Sequence, residues 1–530
     1  MMKLTIDYIP LEVKEGTTLM QAAAMAGIKI PSMCYLEELP NHPSCMVCMV
    51  KDLSRNRFLP SCSYLAEEGM NILTHSPEIR GFRKEALELL LSDHAGDCDA
   101  PCQRSCPASM DIPGMNRLIA AGRFEEALSR IREEIAIPLV LGYICPAPCE
   151  NACHRSSIDG PVSICLLKRF TAQDKLRRGH NLLPMVGLSG KKVAIVGSGP
   201  AGLSAAFYLL RSGHTCVIYD QHLLPGGMLR YKIPENRLPR KALDAEIQCI
   251  RQMGAIFTMD HPIDKLVFHQ ELCRDYDAVI LATGNEEKQI LEDFGLEVDE
   301  HGVKVSLTHF TTSAPRIFAC GNMIRKRQMA VRSAAQGKAA AISANHFLMT
   351  GKPLGSKHLF NSSFGRLQKE EFEDYLMESG SVKRVEPENG SFGGFTREEA
   401  IREAGRCMHC DCRKQVTCKL RQYAGEYGTH QKHFAGPSRK KITKLFRQDL
   451  VVYEPEKCIR CGLCVQITQM AGEDLGLTYI GRGFDVRIGI PFHQSFDEAL
   501  KKTASACVKA CPTGALSGKE DPGTDTHGSY

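Results

Sequence analysis

A glycine-rich stretch from Lys191 to Leu210, KKVAIVGSGPAGLSAAFYLL, places the strongest constraint on the fold of this chain. It begins with a short apolar β-branched run, typical of a buried parallel strand, and continues into a small-residue amphipathic helix. Between them stand Gly197, Gly199 and Gly202 in G-x-G-x-x-G spacing. The first glycine permits a tight turn, the second lets backbone approach a pyrophosphate, and the third lets helix and strand pack closely. The stretch predicts a strand–turn–helix unit whose helix N-terminus receives a pyrophosphate.

A second strand and an acidic residue complete this unit. The strand, Thr215 to Tyr219, ends at Asp220, eighteen residues after Gly202. A carboxylate at that position can hold the hydroxyls of a ribose. A glycine-rich turn without a ligand would not require it. The sequence therefore predicts a dinucleotide bound to a Rossmann-like sheet.

Composition indicates a cytoplasmic protein of several domains. The 530 residues are 43% hydrophobic and 24% charged, which is ordinary for globular proteins, and a net charge of +5 does not argue for nucleic acid. No apolar run reaches the roughly 18 residues that span a bilayer. The start, MMKLTIDYIP, alternates like a strand and lacks the apolar core of a signal peptide.

The 24 cysteines are the unusual feature. In a long cytosolic chain they favour metal ligation over disulfides. Most of them lie in tight groups on either side of the dinucleotide motif. Four lie within that region instead and are predicted to be small core residues, namely Cys216, Cys249, Cys273 and Cys320.

Residues 1–76 predict a small β-rich domain with a hairpin (Leu4 to Asp7 and Leu11 to Val13) and a helix (Thr18 to Ala26). Its cysteines have C-x10-C-x2-C-x13-C spacing, which suits a [2Fe–2S] cluster. Zinc sites usually have two C-x2-C knuckles, and only one is present. The stretches GTTLMQAAAMAGIKIPSMC and SCMVCMV resemble the N-terminal β-grasp ferredoxin domain of the large iron–sulfur subunit of respiratory complex I and of related hydrogenases. The predicted ligands are Cys34, Cys45, Cys48 and Cys62.

Residues 77–185 predict a helical domain, with helices at Ile79 to Ser92 and Gly114 to Ile135. The stretches CPASMDIPGMNRLIAAGRFEEAL, ICPAPCENAC and GPVSICLLKRF resemble the N-terminal domain of the glutamate synthase small subunit and of dihydropyrimidine dehydrogenase, which holds two [4Fe–4S] clusters. The resemblance implies one cluster on Cys98, Cys102 and Cys153, and another on Cys106, Cys145 and Cys149.

The fourth ligands of these two clusters stay open, because the C-x2-C opening of the family is missing. His94 and Cys165 are both candidates, since imidazole can replace a thiolate on iron. The alternatives are that His94 is a surface histidine at a helix end and that one cluster has been lost.

Residues 186–354 continue the dinucleotide domain, and the runs LLPGGMLRYKIPENRLPRKAL, YDAVILATG and RIFACGN resemble the two-dinucleotide flavoproteins. The resemblance implies FAD as the ligand. Asp220 stands where the family has Glu, and Asn322 replaces its Asp. Besides the three glycines and Asp220, the implied FAD-binding residues are Gly227, Met228, Ala282, Thr283, Gly284, Gly321 and Asn322.

Two family features are missing from this region. The nicotinamide-binding unit that follows A-T-G in the family is absent, because Gly284 is followed by NEEKQILEDFGLEVDEHGVKV. We therefore expect the chain to bind FAD but not NAD(P)H by itself. No cysteine pair lies beside the expected flavin, which argues against a disulfide reductase.

Two further cysteine groups follow. Residues 355–450 read as a polar linker that contains a C-x2-C-x-C-x5-C group suited to a [4Fe–4S] cluster or to zinc, Cys407, Cys410, Cys412 and Cys418. Residues 451–530 predict a ferredoxin-like domain in which three cysteines and a later Cys-Pro hold one [4Fe–4S] cluster. Its predicted ligands are Cys458, Cys461, Cys464 and Cys511, with Cys507 a bystander.

Together these motifs predict a multidomain α/β and α+β protein with one FAD, one [2Fe–2S] and up to four [4Fe–4S] clusters. We expect an electron-transfer subunit of a larger oxidoreductase, with an NAD(P)H-oxidising flavoprotein, a hydrogenase, a formate dehydrogenase or ferredoxin as partner. No side chain is predicted to act as a catalytic acid or base. By analogy with related enzymes that combine a flavin with iron–sulfur clusters, we also consider electron bifurcation at the FAD. The alternatives are a self-contained ferredoxin-dependent flavin reductase and a zinc-stapled binding protein.

Overall fold

The chain forms two compact units. The structure, a computed structural model, describes residues 1–178, 187–285, 288–355, 359–379, 383–436, 441–443, 445–447 and 451–518. The first unit comprises residues 1–100, 358–378 and 409–530, and the second comprises 101–357 and 379–408. The predicted segments 77–185 and 355–450 are therefore each divided between the two units. The predicted boundary at residue 186 and the predicted end at 519–530 lie outside the described residues.

The first unit begins with a five-stranded sheet in the order β2-β1-β5-β3-β4. Asp7 and Tyr8 both have positive φ, as a two-residue hairpin turn requires, so the predicted hairpin is confirmed. Thr18 and Gln21 form a capping box at the start of the first helix. The elements are β1 (Met2–Ile6), β2 (Ile9–Val13), α1 (Leu19–Met25), β3 (Met49–Asp52), β4 (Arg57–Pro60), β5 (Asn71–Leu73) and α2 (Pro77–Ser92).

The second unit begins with helices. The predicted helix from Gly114 to Ile135 is wrong in one respect: it is two helices, because Gly122 has φ +72° and its amide donates to the Ile119 carbonyl, which ends the first helix. The elements are α3 (Pro101–Ser105), α4 (Ile112–Ala120), α5 (Phe124–Glu134), α6 (Pro138–Ile144), α7 (Pro148–Asn151) and α8 (Ile164–Arg178).

A parallel five-stranded sheet follows in the order β10-β9-β6-β7-β8. Two of its central strands, Lys192–Val196 and Ala278–Leu281, are buried along their whole length apart from the exposed Lys192, as their apolar sequences predict. The elements are β6 (Lys192–Val196), α9 (Pro200–Arg211), β7 (Thr215–Tyr219), α10 (Met228–Tyr231), α11 (Arg240–Gln252), β8 (Ile256–Thr258), α12 (Lys265–Val267), α13 (Cys273–Asp275), β9 (Ala278–Leu281), α14 (Lys288–Asp293), β10 (Ile317–Ala319) and α15 (Ala330–Thr350). The predicted Rossmann-like arrangement of strands and helices is confirmed.

The rest of the described chain adds short helices and two small antiparallel sheets, β11-β12-β15 and β13-β14. No helix among the described residues is long and apolar enough to cross a membrane. The elements are α16 (Phe372–Ser379), α17 (Gly390–Gly393), α18 (Arg397–Ala404), α19 (Lys419–Tyr427), β11 (Leu445–Arg447), β12 (Val451–Tyr453), α20 (Leu463–Met470), β13 (Thr478–Ile480), β14 (Arg487–Gly489), α21 (Phe496–Ala499), α22 (Ala504–Ala510) and β15 (Leu516–Gly518).

Candidate cofactor and metal sites

The glycine-rich turn at the end of β6 is built so closely that two of its glycines admit no side chain. Gly197 has φ +106°, and a Cβ on it would lie 2.4 Å from the Ala282 carbonyl oxygen. A Cβ on Gly202 would lie 1.8 Å from the carbonyl oxygen of Gly197. Gly199 differs, because nothing lies within 4 Å of its would-be Cβ. The turn therefore packs tightly on the sheet and leaves open space at its middle glycine.

Asp220 holds this turn from the end of β7. Its Oδ2 accepts hydrogen bonds from the Ser198 amide at 2.8 Å and the Ser198 hydroxyl at 2.5 Å. Its Oδ1 accepts from the His222 amide at 3.0 Å. Burial acts to raise the pKa of Asp220, but these hydrogen bonds outweigh it and hold the pKa below its ordinary value. Sequence reasoning found Asp220 and missed Ser198, whose signal is its place inside the G-x-G turn.

A second loop closes against the turn. Gly227 has φ +49°, and a Cβ there would lie 2.9 Å from the Gly199 Cα. The Gly226 amide donates to the Ser198 hydroxyl at 3.0 Å. Met228 follows at the start of α10 and is partly exposed. We call the turn 197–202 and the loop 226–227 together the glycine cradle.

The remaining predicted flavin residues follow β9 and β10. The Gly321 amide donates to the Gln336 side-chain oxygen at 3.0 Å, and the Asn322 Oδ1 accepts from the Gln328 amide at 3.2 Å. The hydroxyl of Thr283 contacts the Met323 sulfur at 3.9 Å. Because β6, β7, β9 and β10 are parallel, the predicted residues all follow carboxyl ends at the same edge of the sheet, where α/β sheets bind ligands.

The chain between β9 and β10 contains little regular secondary structure. Within residues 282–285 and 288–316 it forms the helix α14 and single β-bridges, Val298 to Val303 and Thr311 to Phe318, but no strand. The described part of this connection therefore contains no second strand–turn–helix unit.

Four buried thiols lie together in the β-rich part of the first unit. The Sγ atoms of Cys34 and Cys45 are 3.4 Å apart, and the Cys62 thiol hydrogen-bonds with those of Cys34 and Cys48. The Ser44 amide donates to the Cys34 sulfur at 3.5 Å. The structure brings all four predicted [2Fe–2S] ligands together, and we call Cys34, Cys45, Cys48 and Cys62 the N-terminal thiol group.

Four more thiols line a small cavity of about 20 Å³ in the first unit. Its other walls are mainly apolar and include Tyr453, Leu463 and Ile488. The Arg460 amide donates to the Cys458 sulfur at 3.3 Å. Cys507 does not line this cavity; it is buried, and its thiol contacts the Cys464 carbonyl. We call Cys458, Cys461, Cys464 and Cys511 the C-terminal thiol group.

Cys98 lies beside two cysteines from a distant part of the chain. The Cys412 amide donates to the Cys98 carbonyl at 3.0 Å. Burial is the largest cause that raises the pKa of Cys418, and the thiols of Cys412 and Cys98 add to that rise. All three side chains are buried in the first unit. The implied grouping of Cys98 with Cys102 and Cys153, which belong to the second unit, stays a prediction. We call Cys98, Cys412 and Cys418 the split thiol group.

His94 belongs to the same unit and is half-buried. Its Nδ1 is buried and has no hydrogen-bond partner among the described residues. Burial, with the nearby Lys457 ammonium, lowers the pKa of His94 to about 4, so the ring is neutral near pH 7 and Nδ1 can donate its lone pair to a metal. Lys457 also faces Cys412.

A fourth set of thiols gathers in the second unit around a buried lysine. The Cys165 thiol hydrogen-bonds with those of Cys145 and Cys149. Lys168 lies with its Nζ 3.9 Å from the Cys165 sulfur. Burial acts to lower the pKa of Lys168, but the thiolates of Cys165, Cys145, Cys106 and Cys149 outweigh it and raise that pKa. We call Cys106, Cys145, Cys149 and Cys165 the helical thiol group; sequence reasoning left Cys165 as one of two candidates and missed Lys168.

The remaining predicted ligands are divided between the units. Cys102, Cys153 and Cys407 belong to the second unit, whereas Cys410 belongs to the first, where it lies near Tyr375. The predicted compact set of Cys407 with Cys410, Cys412 and Cys418 stays a prediction. No three His, Cys, Asp or Glu side chains of the described residues are arranged to hold a single metal ion.

Three protein-family models match parts of the chain. Residues 1–77 match a 2Fe-2S iron-sulfur cluster binding domain. Residues 91–180 match dihydropyrimidine dehydrogenase domain II, 4Fe-4S cluster. Residues 195–257 match an NAD(P)-binding Rossmann-like domain. The predicted N-terminal 2Fe-2S domain, helical 4Fe-4S domain and Rossmann-like domain are confirmed.

Curated relatives are oxidoreductase subunits. The NADP(+)-dependent formate dehydrogenase subunit beta of Moorella thermoacetica is 40% identical over 207 residues, 35% of this chain and 29% of that protein. The NADPH-Fe(3+) oxidoreductase subunit beta of Geobacter sulfurreducens is 40% identical over 212 residues, which are 39% of this chain and 30% of that protein. The NADPH glutamate synthase small chain of Mycobacterium tuberculosis is 36% identical over 190 residues, which are 36% of this chain and 39% of that protein. The matched part of the chain thus spans less than half of each relative, and the resemblance to the glutamate synthase small chain is confirmed.

Proposed function

We propose that this chain is an electron-transfer subunit of a multi-subunit oxidoreductase. It relays electrons between a redox partner and an acceptor through iron–sulfur clusters and FAD. The observation that supports this most is the presence of four groups of thiols, most of them buried, in a chain that also carries the glycine cradle. Bound FAD exchanges one or two electrons and an iron–sulfur cluster exchanges one, so the combination suits a relay.

The fit of FAD rests on the glycine cradle and the residues behind it. The open space at Gly199, at the N-terminus of α9, lets a pyrophosphate approach backbone amides and the positive end of the helix dipole. Asp220, fixed by Ser198 and His222, keeps a carboxylate at the end of β7 for a ribose. Gly284 and Gly321, both at positive φ, and Asn322 complete the edge of the sheet.

The fit of the clusters rests on the thiol groups. We assign the [2Fe–2S] cluster to the N-terminal thiol group and [4Fe–4S] clusters to the C-terminal and helical groups, with Cys165 the fourth ligand of the latter. The split thiol group has three thiols, and the buried Nδ1 of His94 supplies a fourth donor for another cluster. Cys102, Cys153, Cys407 and Cys410 stay predicted iron ligands.

Backbone amides hydrogen-bond to several of the cysteine sulfurs and would tune the reduction potentials of the clusters. Backbone amides of Ser44, Arg460 and Arg421 donate to the sulfurs of Cys34, Cys458 and Cys418. Such bonds stabilise negative charge on sulfur and raise the reduction potential of a cluster. Burial of the thiols keeps water away from the same sulfurs.

The partners follow from the relatives and from the missing nicotinamide unit. The relatives' names refer to formate dehydrogenase, NADPH-Fe(3+) oxidoreductase and glutamate synthase. We propose that this chain exchanges electrons with an NAD(P)H-oxidising flavoprotein, a hydrogenase, a formate dehydrogenase or ferredoxin. Electron bifurcation at the flavin stays a prediction.

Anaerobic purification of the whole chain tests this function. We expect a brown protein with FAD, iron and acid-labile sulfide, in which dithionite bleaches the flavin and NADPH does not. Rapid bleaching by NADPH alone would contradict the subunit role. Zinc in place of iron, or a colourless protein without sulfide or flavin, would refute the relay.

A further inference from the structure

The loop that follows β10 presents three consecutive cations beside the glycine cradle. Arg325, Lys326 and Arg327 are all exposed, and their side chains have no ion-pair or hydrogen-bond partner among the described residues. A Cβ on Gly321, at the start of this loop, would lie 3.0 Å from the Cβ of Ala201. Because Ala201 belongs to the first turn of α9, the loop begins at the helix end that borders the cradle.

Two glutamines hold this loop in one shape. The Gln328 amide donates to the Asn322 Oδ1 at 3.2 Å, and the Gln328 Nε2 donates to the Gly321 carbonyl at 2.8 Å. The Gln336 side chain accepts from the Gly321 amide at 3.0 Å and donates to the Gln328 Oε1 at 2.9 Å. We call residues 322–328 the cationic loop. Since these bonds close its base, its three charges are presented from a fixed position.

A second basic segment borders the cradle on its other side. Residues 222–241, which include the loop 226–227, contain five Lys and Arg and one Glu, whereas residues 321–332 contain four Lys and Arg and no acidic residue. Nine basic residues against one acidic residue give these two segments a charge of +8, whereas the whole chain has +5, so the remainder is net negative. Lys232 and Arg237 of the second segment are exposed and have no ion-pair partner among the described residues.

Acidic side chains near the cationic loop are engaged elsewhere. The Met323 carbonyl accepts a backbone hydrogen bond at 2.9 Å from the stretch 297–304, which brings that stretch beside the loop. In it, Glu297 pairs with Lys304 at 3.0 Å, and Asp299 accepts from two backbone amides of its own turn. These carboxylates therefore do not pair with the cationic loop.

Exposed apolar side chains accompany the cations of the second segment. Leu223, Leu224 and Tyr231 are all exposed. The Tyr231 hydroxyl donates to the Leu224 carbonyl at 3.1 Å, and its ring stacks on that of His222 with centroids 4.5 Å apart, so this surface is also fixed. Interfaces between proteins combine apolar contacts with a polar rim, and complementary charge steers the partner into register.

We propose that the cationic loop, with Lys232 and Arg237, is the docking surface for a small ferredoxin-like protein that is acidic around its redox centre and exchanges electrons with the flavin. This rests on the proposed function and specifies which partner meets the FAD. Two reduced partner molecules each supply one electron, and two protons from solvent complete the reduction of one FAD to FADH2. The place of this surface, around a redox cofactor site, favours a redox protein over a lipid membrane.

Binding of a small acidic ferredoxin to the full-length anaerobic chain tests this proposal. Oxidised ferredoxin is titrated calorimetrically at low and at high salt, which requires no turnover of the flavin. The variant is Arg325→Glu/Lys326→Glu. The matched control, Lys265→Glu/Lys352→Glu, changes the charge equally at exposed lysines of the same unit, and Lys352 lies beyond the opposite end of α15 from the cationic loop.

We expect the variant to raise the dissociation constant severalfold and to flatten its salt dependence, with the control binding like the unmodified chain. The second-order rate at which reduced ferredoxin bleaches the flavin should fall in parallel. An unchanged dissociation constant in the variant, or an equal rise in the control, would overturn the proposal. Co-sedimentation with anionic phospholipid vesicles that is lost in the variant while ferredoxin binding persists would also overturn it.

Cofactor analysis separates this failure from failure of the proposed function. Flavin, iron and sulfide are measured in every preparation, and the melting temperature confirms that each variant folds. A chain without flavin or clusters refutes the proposed function. A fully loaded chain whose ferredoxin binding is indifferent to Arg325 and Lys326 refutes the docking surface alone.

Discussion

The ammonium group of Lys168 lies 3.9 Å from the sulfur of Cys165, and both side chains are buried. A positive charge in a low-dielectric interior interacts strongly with nearby charge. Because a cluster becomes more negative on reduction, this lysine should favour the reduced state of a cluster on the helical thiol group.

Replacing Lys168 by Met should lower the reduction potential of that cluster by about 60 mV or more, which is a tenfold change for a one-electron couple. Potentiometric titration followed by electron paramagnetic resonance measures it. Lys168→Arg should keep most of the potential, and Lys175→Met on the same helix, where Lys175 pairs with Glu125, should leave it unchanged. An unaltered potential in Lys168→Met at full cluster content would refute this role.

Cys165 should be an iron ligand of the helical thiol group. Cys165→Ala should therefore lose the iron and sulfide of one [4Fe–4S] cluster, with the corresponding resonance signal. Cys216→Ala is the matched control, because Cys216 is a buried cysteine in the sheet of the same unit. His94→Ala should leave the helical signal intact. Retention of that signal in Cys165→Ala, with loss in His94→Ala, would reverse the assignment of the fourth ligands.

Substitutions at two glycines of the glycine cradle should affect flavin binding and folding separately. Gly199→Ala adds a methyl group into open space at an ordinary φ of −73°, so the flavin-free chain should melt like the unmodified one while flavin content falls severalfold. Gly202→Ala forces a methyl group onto the Gly197 carbonyl and should destabilise the unit by roughly 1–3 kcal/mol. Bound flavin per chain and the melting temperature of the flavin-free protein are the measurements. Full flavin content in Gly199→Ala would show that the flavin does not bind against this glycine.

A buried ionic network should stabilise the second unit. Arg406 is fully buried and donates to Glu403 and Asp159, both at 2.9 Å, while Glu403 also accepts from the Ser163 amide. Arg406→Met leaves the buried Glu403 without its cation, whereas Asp159 keeps its pair with Arg155. Removing one partner of a buried ion pair typically costs about 3–5 kcal/mol. Lys191→Met removes only the partly exposed pair with Asp277 and should cost no more than about 1 kcal/mol. Urea unfolding followed by circular dichroism compares the two; equal effects would contradict the role of the network.

Features set by short-range spacing were predictable from the sequence. Gly197, Gly199 and Gly202 identify the turn because each spacing has one steric purpose, and Cys458, Cys461 and Cys464 fall in a fixed ligand pattern. The break at Gly122 was visible as a glycine within a helical pattern, but apolar periodicity continues across it and favours one helix.

Features set by long-range packing were not predictable in this way. Nothing near Cys98 indicates that it meets Cys412 and Cys418, because that contact depends on how distant segments pack. The division of residues 77–185 and 355–450 between two units has the same origin. Lys168 reads as an ordinary helix lysine until the structure shows four thiols around it.

The first unit is assembled from three separate stretches of chain, so its thiol groups become complete at different times during synthesis. The N-terminal thiol group is complete once Cys62 has left the ribosome, so its iron can be loaded early on a domain that folds as it emerges. The split group must wait until Cys418 has been made. Cys98 therefore remains without Cys412 and Cys418 until most of the chain has been made, so the split thiol group can first bind a cluster later in synthesis than the N-terminal thiol group can.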